Sequence, residues 1–223
     1  MKKHAKQLLR TLAYLAMVVL PVLLGWGVGD LGGFFRDPAR TGYVGLGVLG
    51  VLIVFIPRLS VQPFSKGAQV VGRGMFLAVV VSSFFLMVFL PFADRRGVAT
   101  FPEREALRAA GLALCLAGTV IRVAAVWTLG KQFSGYVTLQ ENHQLIQTGL
   151  YRRIRHPMYL GVVILMPGVT LVFRSWLVIP VSILTLVFVL LRVGQEECLL
   201  AEHFGSEFES YRRRTWRLLP YVY

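Results

Sequence analysis

Between Gly149 and Gly161 the chain reads GLYRRIRHPMYLG, and Tyr151, Arg152, Arg153, Arg155, His156 and Tyr159 fall within nine residues of one another. Guanidinium groups bind carboxylates and phosphates, an imidazole carries or accepts a proton, and a tyrosine ring offers a face to a cation and a hydroxyl to a polar group. This dense polar group runs directly into an apolar segment, and that junction is where chemistry is expected. Pro157 suits the first turn of the following helix, where its missing N–H would have no helical partner. The same residues would also serve as a basic interfacial anchor with tyrosines at the headgroup level. A second polar pair lies further on, where Arg192, Glu196 and Leu200 recur at four-residue spacing and share a helical face. Arg192 and Glu196 can therefore approach each other where the last apolar run ends.

The elements that must hold these groups are membrane helices. The chain has 223 residues, of which 56% are hydrophobic, with a mean hydropathy of +0.63, which is too apolar for an ordinary soluble domain. Its formal charge of +13 would suit nucleic acid on a polar surface, but the basic residues lie in short connections between apolar runs and suit orientation in a bilayer instead. Cys115 and Cys198 lie within apolar or helical stretches and form no paired spacing with histidine. Neither a disulfide framework nor a metal site is expected.

Apolar runs cover Leu8–Gly29, Gly42–Pro57, Gly74–Ala93, Ala106–Leu129, Met158–Phe173 and Trp176–Val193. A spanning helix needs about 20 residues, so the second and fifth are short, and five or six transmembrane helices are predicted. The first run exceeds the apolar core of a secretory signal, no small-x-small cleavage site follows it, and it reads as a span. Only Arg174 and Ser175 separate the last two, which predicts a tight helical hairpin. With the N-terminus inside, 16 Lys and Arg residues fall on inner segments against 7 on outer ones. That bias predicts both termini on the cytoplasmic side. Residues 1–129 are expected to be a transmembrane scaffold without a polar cluster, and residues 130–223 the cofactor-binding and catalytic region, within one membrane domain. Arg122 stands out inside the fourth run, where a charge is costly and marks either a function or a snorkelling side chain.

The connection before Pro157 is the longest polar stretch in the chain, and connections of that length more often carry function than not. At the C-terminal end Phe204, Phe208 and Tyr211 recur at three- and four-residue spacing before Arg212, Arg213, Arg214 and Trp216. This predicts an amphipathic tail on the inner interface, able to fold back over a site.

Taken in order, HQLIQTGLYRRIRHPMYLG, RVGQEECLLAEHFGSEFESY and RLLP resemble the C-terminal signature of the isoprenylcysteine carboxyl methyltransferase family. The resemblance covers about the last ninety residues, while the first half is similar only in being hydrophobic spans. It implies an all-α integral membrane enzyme that uses S-adenosylmethionine. It also implies cofactor contacts at His143, Gln144, Leu145, Ile146, Tyr151, His156, Pro157, Met158, Tyr159 and Glu196, and a methyl acceptor held by Arg192. Arg192 and Glu196 are then the catalytic candidates. The connection before His143 is shorter than in the eukaryotic members, and the spans are fewer than in the animal ones.

The implied cofactor carries a sulfonium, an ammonium, a carboxylate and an adenine, so aromatic faces, one acid and a few donors would suit it. Transfer of the methyl group is an in-line displacement in which the sulfonium loses its charge, and no metal is required. The expected partners are the lipid bilayer and a hydrophobic acceptor such as a prenylcysteine-type carboxylate. Nucleic acid is not expected. Phospholipid N-methyltransferases and small-thiol S-methyltransferases resemble the same region. A membrane reductase using NADPH is disfavoured because that branch carries an acid after the HPxYxG glycine, where this chain has Val162. A non-catalytic transporter is disfavoured because the polar cluster sits at one interface and no internal repeat is visible.

Overall fold

The computed structural model describes residues 2–54, 73–130 and 144–221. Helices occupy every predicted apolar run: α1 (Lys2–Trp26), α2 (Leu31–Phe35), α3 (Pro38–Val54), α4 (Arg73–Arg96), α5 (Glu105–Leu129), α6 (Pro157–Val172), α7 (Val178–Phe204) and α8 (Ser206–Arg213). Among the described residues there is no β-ladder, only isolated bridges between Thr100 and Ser175 and between Ile154 and Trp216. A chain this apolar satisfies its backbone groups within each segment, which is what a hydrocarbon environment demands. By length and composition three helices can cross a membrane, within Leu8–Trp26, Glu105–Leu129 and Val178–Phe204. As predicted, α3 and α6 are shorter, with 17 and 16 residues. Leu20 and Leu24 of α1 and Ile183, Leu184 and Val187 of α7 face outward and exposed, as lipid-facing side chains do in an integral membrane protein.

The bundle is built around the antiparallel pair α5 and α6. Gly111 and Gly118 on α5 meet Gly168 and Gly161 on α6, each pair seven residues apart. A Cβ built on Gly118 would lie 2.7 Å from the Gly161 carbonyl oxygen, and one on Gly168 would lie 2.9 Å from that of Gly111. Backbone therefore packs on backbone, the small-residue device by which helices associate when water supplies no hydrophobic drive. Around this seam Val22, Trp26, Phe34, Leu90, Cys115, Val172 and Phe173 form one buried apolar cluster. Tyr159, Leu160, Val189, Val193 and Leu218 form another, joining α6 and α7 to the C-terminal strip.

The first half does carry a polar cluster, contrary to the sequence reading. Asp94 at the end of α4, with its side chain 0% exposed, takes both terminal nitrogens of Arg108 at 2.9 and 3.0 Å and also meets Arg40 at 3.2 Å and Arg174 at 2.7 Å. Arg108 further pairs with Asp37 at 3.1 Å and Glu103 at 2.8 Å, and Glu103 meets Arg174 at 2.8 Å. Three arginines that counted as outer-loop charges are thus consumed in a neutral network of three acids and three bases. It ties the α6–α7 hairpin to α3, α4 and α5. The hairpin turns at Arg174, whose φ of 52° is left-handed, and its Trp176 N–H donates to the Ala99 carbonyl.

Candidate active site

The candidate site lies at the other end of the bundle, where α6 begins and α7 ends. A 3-10 turn at Gly149–Arg152 precedes it, and Pro157 opens α6 with His156 at the N-cap position, as the proline predicted. The turn buries Tyr151, while His156, 3% exposed, and Tyr159, 8% exposed, face α7 from the first turn of α6.

Arg192 and Glu196 come from α7 to meet them. The sequence placed these two on one face; the structure puts the Tyr159 hydroxyl between them. Arg192 Nε donates to the Tyr159 hydroxyl at 3.2 Å, and that hydroxyl donates to Glu196 Oε2 at 2.9 Å. The other Glu196 oxygen lies 3.9 Å from His156 Nδ1, and 34% of the side chain remains exposed. Arg192 is buried, with 3% exposure, so this is no surface ion pair. Together they make a site with one accessible carboxylate, a fixed guanidinium and two phenol rings. Burial raises the Tyr151 phenol well above its usual range, and the charge of Glu196 adds to the effect. Tyr151 is thus a neutral ring rather than a proton donor to solvent.

Glu197, which the sequence reading passed over, is the centre of a second network. Its Oε1 accepts from Arg155 Nε at 2.9 Å and lies 3.2 Å from His156 Nε2, and its Oε2 meets Arg217 Nε at 3.0 Å. The signal was in the sequence as the doublet Glu196-Glu197: neighbours on a helix point about 100° apart, so the two acids approach His156 from different sides, Glu196 at Nδ1 and Glu197 at Nε2. Arg155 also separates from its neighbours. Its side chain is 8% exposed, whereas Arg152 and Arg153 are exposed and fit the anchoring role.

The C-terminal tail folds back over this network as predicted. Gly205, with φ of 50°, makes the turn from α7 into α8, which buries Phe208 and Tyr211. The Tyr211 hydroxyl donates to the Tyr151 carbonyl at 2.7 Å. Beyond α8 the backbone pairs with the segment before α6: Arg155 N–H donates to the Trp216 carbonyl at 2.8 Å, Trp216 N–H to Arg153 at 2.9 Å and His156 N–H to Arg217 at 3.2 Å. The Arg155 guanidinium reaches the carbonyls of Arg212 and Thr215.

Of the residues the resemblance singled out, the structure thus gathers Tyr151, His156, Tyr159, Arg192 and Glu196. Pro157 is buried as the first residue of α6, and Met158 packs against the Tyr159–Leu218 apolar cluster. Leu145 and Ile146 are half-buried and Gln144 exposed on the segment leading in. His143 lies outside the described residues. Among the described residues no group of three or more His, Cys, Asp or Glu could hold a metal ion. Arg122 is exposed on α5, and its aliphatic stem lies across Gly161, where an added Cβ would meet its Cγ at 2.4 Å. The glycine of the HPMYLG motif is therefore required by packing.

The family model described as phospholipid methyltransferase matches residues 106–207. A probable protein-S-isoprenylcysteine O-methyltransferase of Oryza sativa subsp. indica is 34% identical over 119 residues, covering 50% of this chain and 60% of that protein. The protein-S-isoprenylcysteine O-methyltransferase of Saccharomyces cerevisiae is 32% identical over 119 residues, covering 50% of this chain and 48% of that protein. The chain thus spans no more than about three fifths of the length of these relatives. Among solved structures, a eukaryotic intramembrane Ras methyltransferase, isoprenylcysteine carboxyl methyltransferase, matches with a TM-score of 0.56 at 23% identity over 93% of this chain and 75% of that one, a likeness of fold. Over about half its length the chain is thus similar in sequence to protein-S-isoprenylcysteine O-methyltransferases, its residues 106–207 match the phospholipid methyltransferase model, and it shares the fold of the solved isoprenylcysteine carboxyl methyltransferase.

Proposed function

We propose that the protein transfers a methyl group from S-adenosylmethionine to a hydrophobic, lipid-linked acceptor with a carboxylate of the prenylcysteine type. The observation that carries this reading is the Arg192–Tyr159–Glu196 chain: one hydroxyl ties a buried guanidinium to a partly exposed carboxylate. The residues present fit the cofactor's chemistry. Glu196 would take its ammonium or hydroxyl groups, Tyr151 and Tyr159 would offer ring faces to the sulfonium, and Gln144, Leu145, Ile146, His143, His156, Pro157 and Met158 would line the remainder. When bound, it supplies an activated methyl group.

The residues' own work is to position and to exclude water. Arg192 would hold an acceptor carboxylate, which is ionised at neutral pH and needs no general base. The buried phenols and the tail above them would shield part of the site from water, which strengthens the charge interactions there. The match to the phospholipid methyltransferase model supports a second reading, an amine acceptor. An amine would need Glu196 or His156 to remove its proton.

In this reading residues 130–223 provide the chemistry and residues 1–129 the scaffold, although α5 packs along α6 as part of the same unit. Both termini face the cytoplasm, supported by the distribution of Lys and Arg. Alkaline phosphatase fused after Tyr223 should be inactive, and activity there would reverse the orientation. The decisive experiment is calorimetry of S-adenosylhomocysteine on the purified protein. Wild type should bind, and His156→Ala and Glu196→Ala should each lose about tenfold or more in affinity while staying folded. Equal affinity in all three would remove the site.

A further inference from the structure

We propose that Glu197 is a positioning residue for this site: it fixes the proton of His156 on Nε2, leaves Nδ1 as an acceptor beside Glu196, and makes that setting depend on the docked C-terminal strip. The inference rests on reading His156 as a cofactor contact.

A carboxylate held between two guanidiniums can only accept hydrogen bonds. Arg155 on one Glu197 oxygen and Arg217 on the other put it in that state, with its side chain 9% exposed. His156 Nε2 lies 3.2 Å from the same oxygen that Arg155 holds. In the neutral imidazole a lone pair there would face the carboxylate's own lone pairs, whereas an N–H donates to them. The proton therefore belongs on Nε2, and Nδ1 carries the lone pair. Nδ1 stands 3.9 Å from Glu196 Oε1, so two acceptors face one space. A ligand donor, an ammonium or a hydroxyl, would satisfy both at once, and the wrong tautomer would offer it a competing N–H instead. Glu197 touches no ligand in this scheme; it acts through the imidazole.

The same carboxylate joins that setting to the tail. Arg217 belongs to the C-terminal strip, and Arg155 is held by the strip's carbonyls at Arg212 and Thr215 and by the Thr215 hydroxyl. Lifting the strip would take Arg217 from Glu197 and release Arg155, freeing the carboxylate to turn away from His156. The strip thus sets the site electrostatically as well as covering it.

The test is long-range proton–nitrogen correlation on ¹⁵N-histidine-labelled full-length protein in detergent at about pH 8.5, where a free imidazole is neutral. His156 is assigned by its absence in His156→Asn. Wild type should carry one tautomer, protonated on Nε2; protonation on Nδ1 overturns the proposal. Folded Glu197→Ala should lose the single tautomer and bind S-adenosylhomocysteine about tenfold more weakly. A retained tautomer in that variant also overturns it. If Glu197→Ala does not fold, Glu197→Gln decides. Its amide oxygen still accepts but carries no full charge, so the Nε2 proton should stay and its resonance move upfield, with affinity within about threefold of wild type. An unmoved resonance means Glu197 only holds the tail. Failure of wild type to bind S-adenosylhomocysteine would instead sink the cofactor reading, and the tautomer measured on the same sample still decides the part of Glu197.

Discussion

At the scale of single residues, the site is organised by one phenol and one acid. Tyr159 is the only described group that touches both Arg192 and Glu196 through hydrogen bonds of 3.2 and 2.9 Å. Tyr159→Phe keeps the ring and its packing and removes that link. Both α7 side chains should then lose alignment together, so the variant should lose turnover about tenfold or more and S-adenosylhomocysteine affinity by several-fold, with melting temperature near wild type. Turnover and calorimetry on matched folded preparations check this, and a variant with wild-type values would confine Tyr159 to packing. Much of this site was legible in the sequence because motif spacing alone puts His156, Pro157 and Tyr159 on one helical turn and Arg192 one turn from Glu196. Two things were not. The hydroxyl between Arg192 and Glu196 requires knowing that α6 and α7 pack as neighbours at this end, and Glu197 requires knowing which face of α7 meets Arg155 and Arg217.

At the scale of elements, the tail is attached by polar groups that can be titrated. Burial pushes the Tyr211 phenol up to about 12, with Arg155 and Arg214 pulling the other way. A folded-state value above the unfolded one of about 10 means the docked tail favours the protonated form. That contribution is complete below about pH 10 and is lost as pH rises through about 12. The sense matches the geometry, because the hydroxyl needs its proton to donate to the Tyr151 carbonyl. Absorbance at 295 nm, taken as the difference between wild type and Tyr211→Phe, should therefore give a midpoint near 12. A midpoint near 10 would mean that the α8 face is open to solvent. The helices themselves were legible for the reason that membrane helices usually are: hydropathy alone marks them. The α5–α6 seam was not, because Gly111, Gly118, Gly161 and Gly168 look like the other glycines of the chain until their partners are known.

At the scale of the whole molecule, the two ends are held differently. The site end is closed by a tail with one carboxylate among three bases, whereas the far end is locked by a neutral network in which Asp94 is fully enclosed. The network escaped the sequence reading because its members come from the α2–α3 turn, α3, α4, the α4–α5 connection, α5 and the α6–α7 turn, and each looked like an isolated loop charge. Removing one member of a buried ionic network costs about 3–5 kcal/mol, because the remaining charges are left uncompensated. Asp94→Asn keeps the shape but leaves Arg40, Arg108 and Arg174 facing only Asp37 and Glu103, so the melting temperature in detergent should fall by many degrees. Glu103→Gln removes a carboxylate that is 59% exposed, and its cost should stay below about 1 kcal/mol. The ordering of the two melts is the measurement, and equal melts would show that water already reaches Asp94. Because the cluster and the candidate site sit at opposite ends of α5 and α6, the fraction of Asp94→Asn that remains folded should bind S-adenosylhomocysteine within about twofold of wild type. A larger loss of affinity in the folded variant would mean that the α5–α6 seam transmits strain from the hairpin turn to the site, and the two ends would have to be treated as one coupled unit.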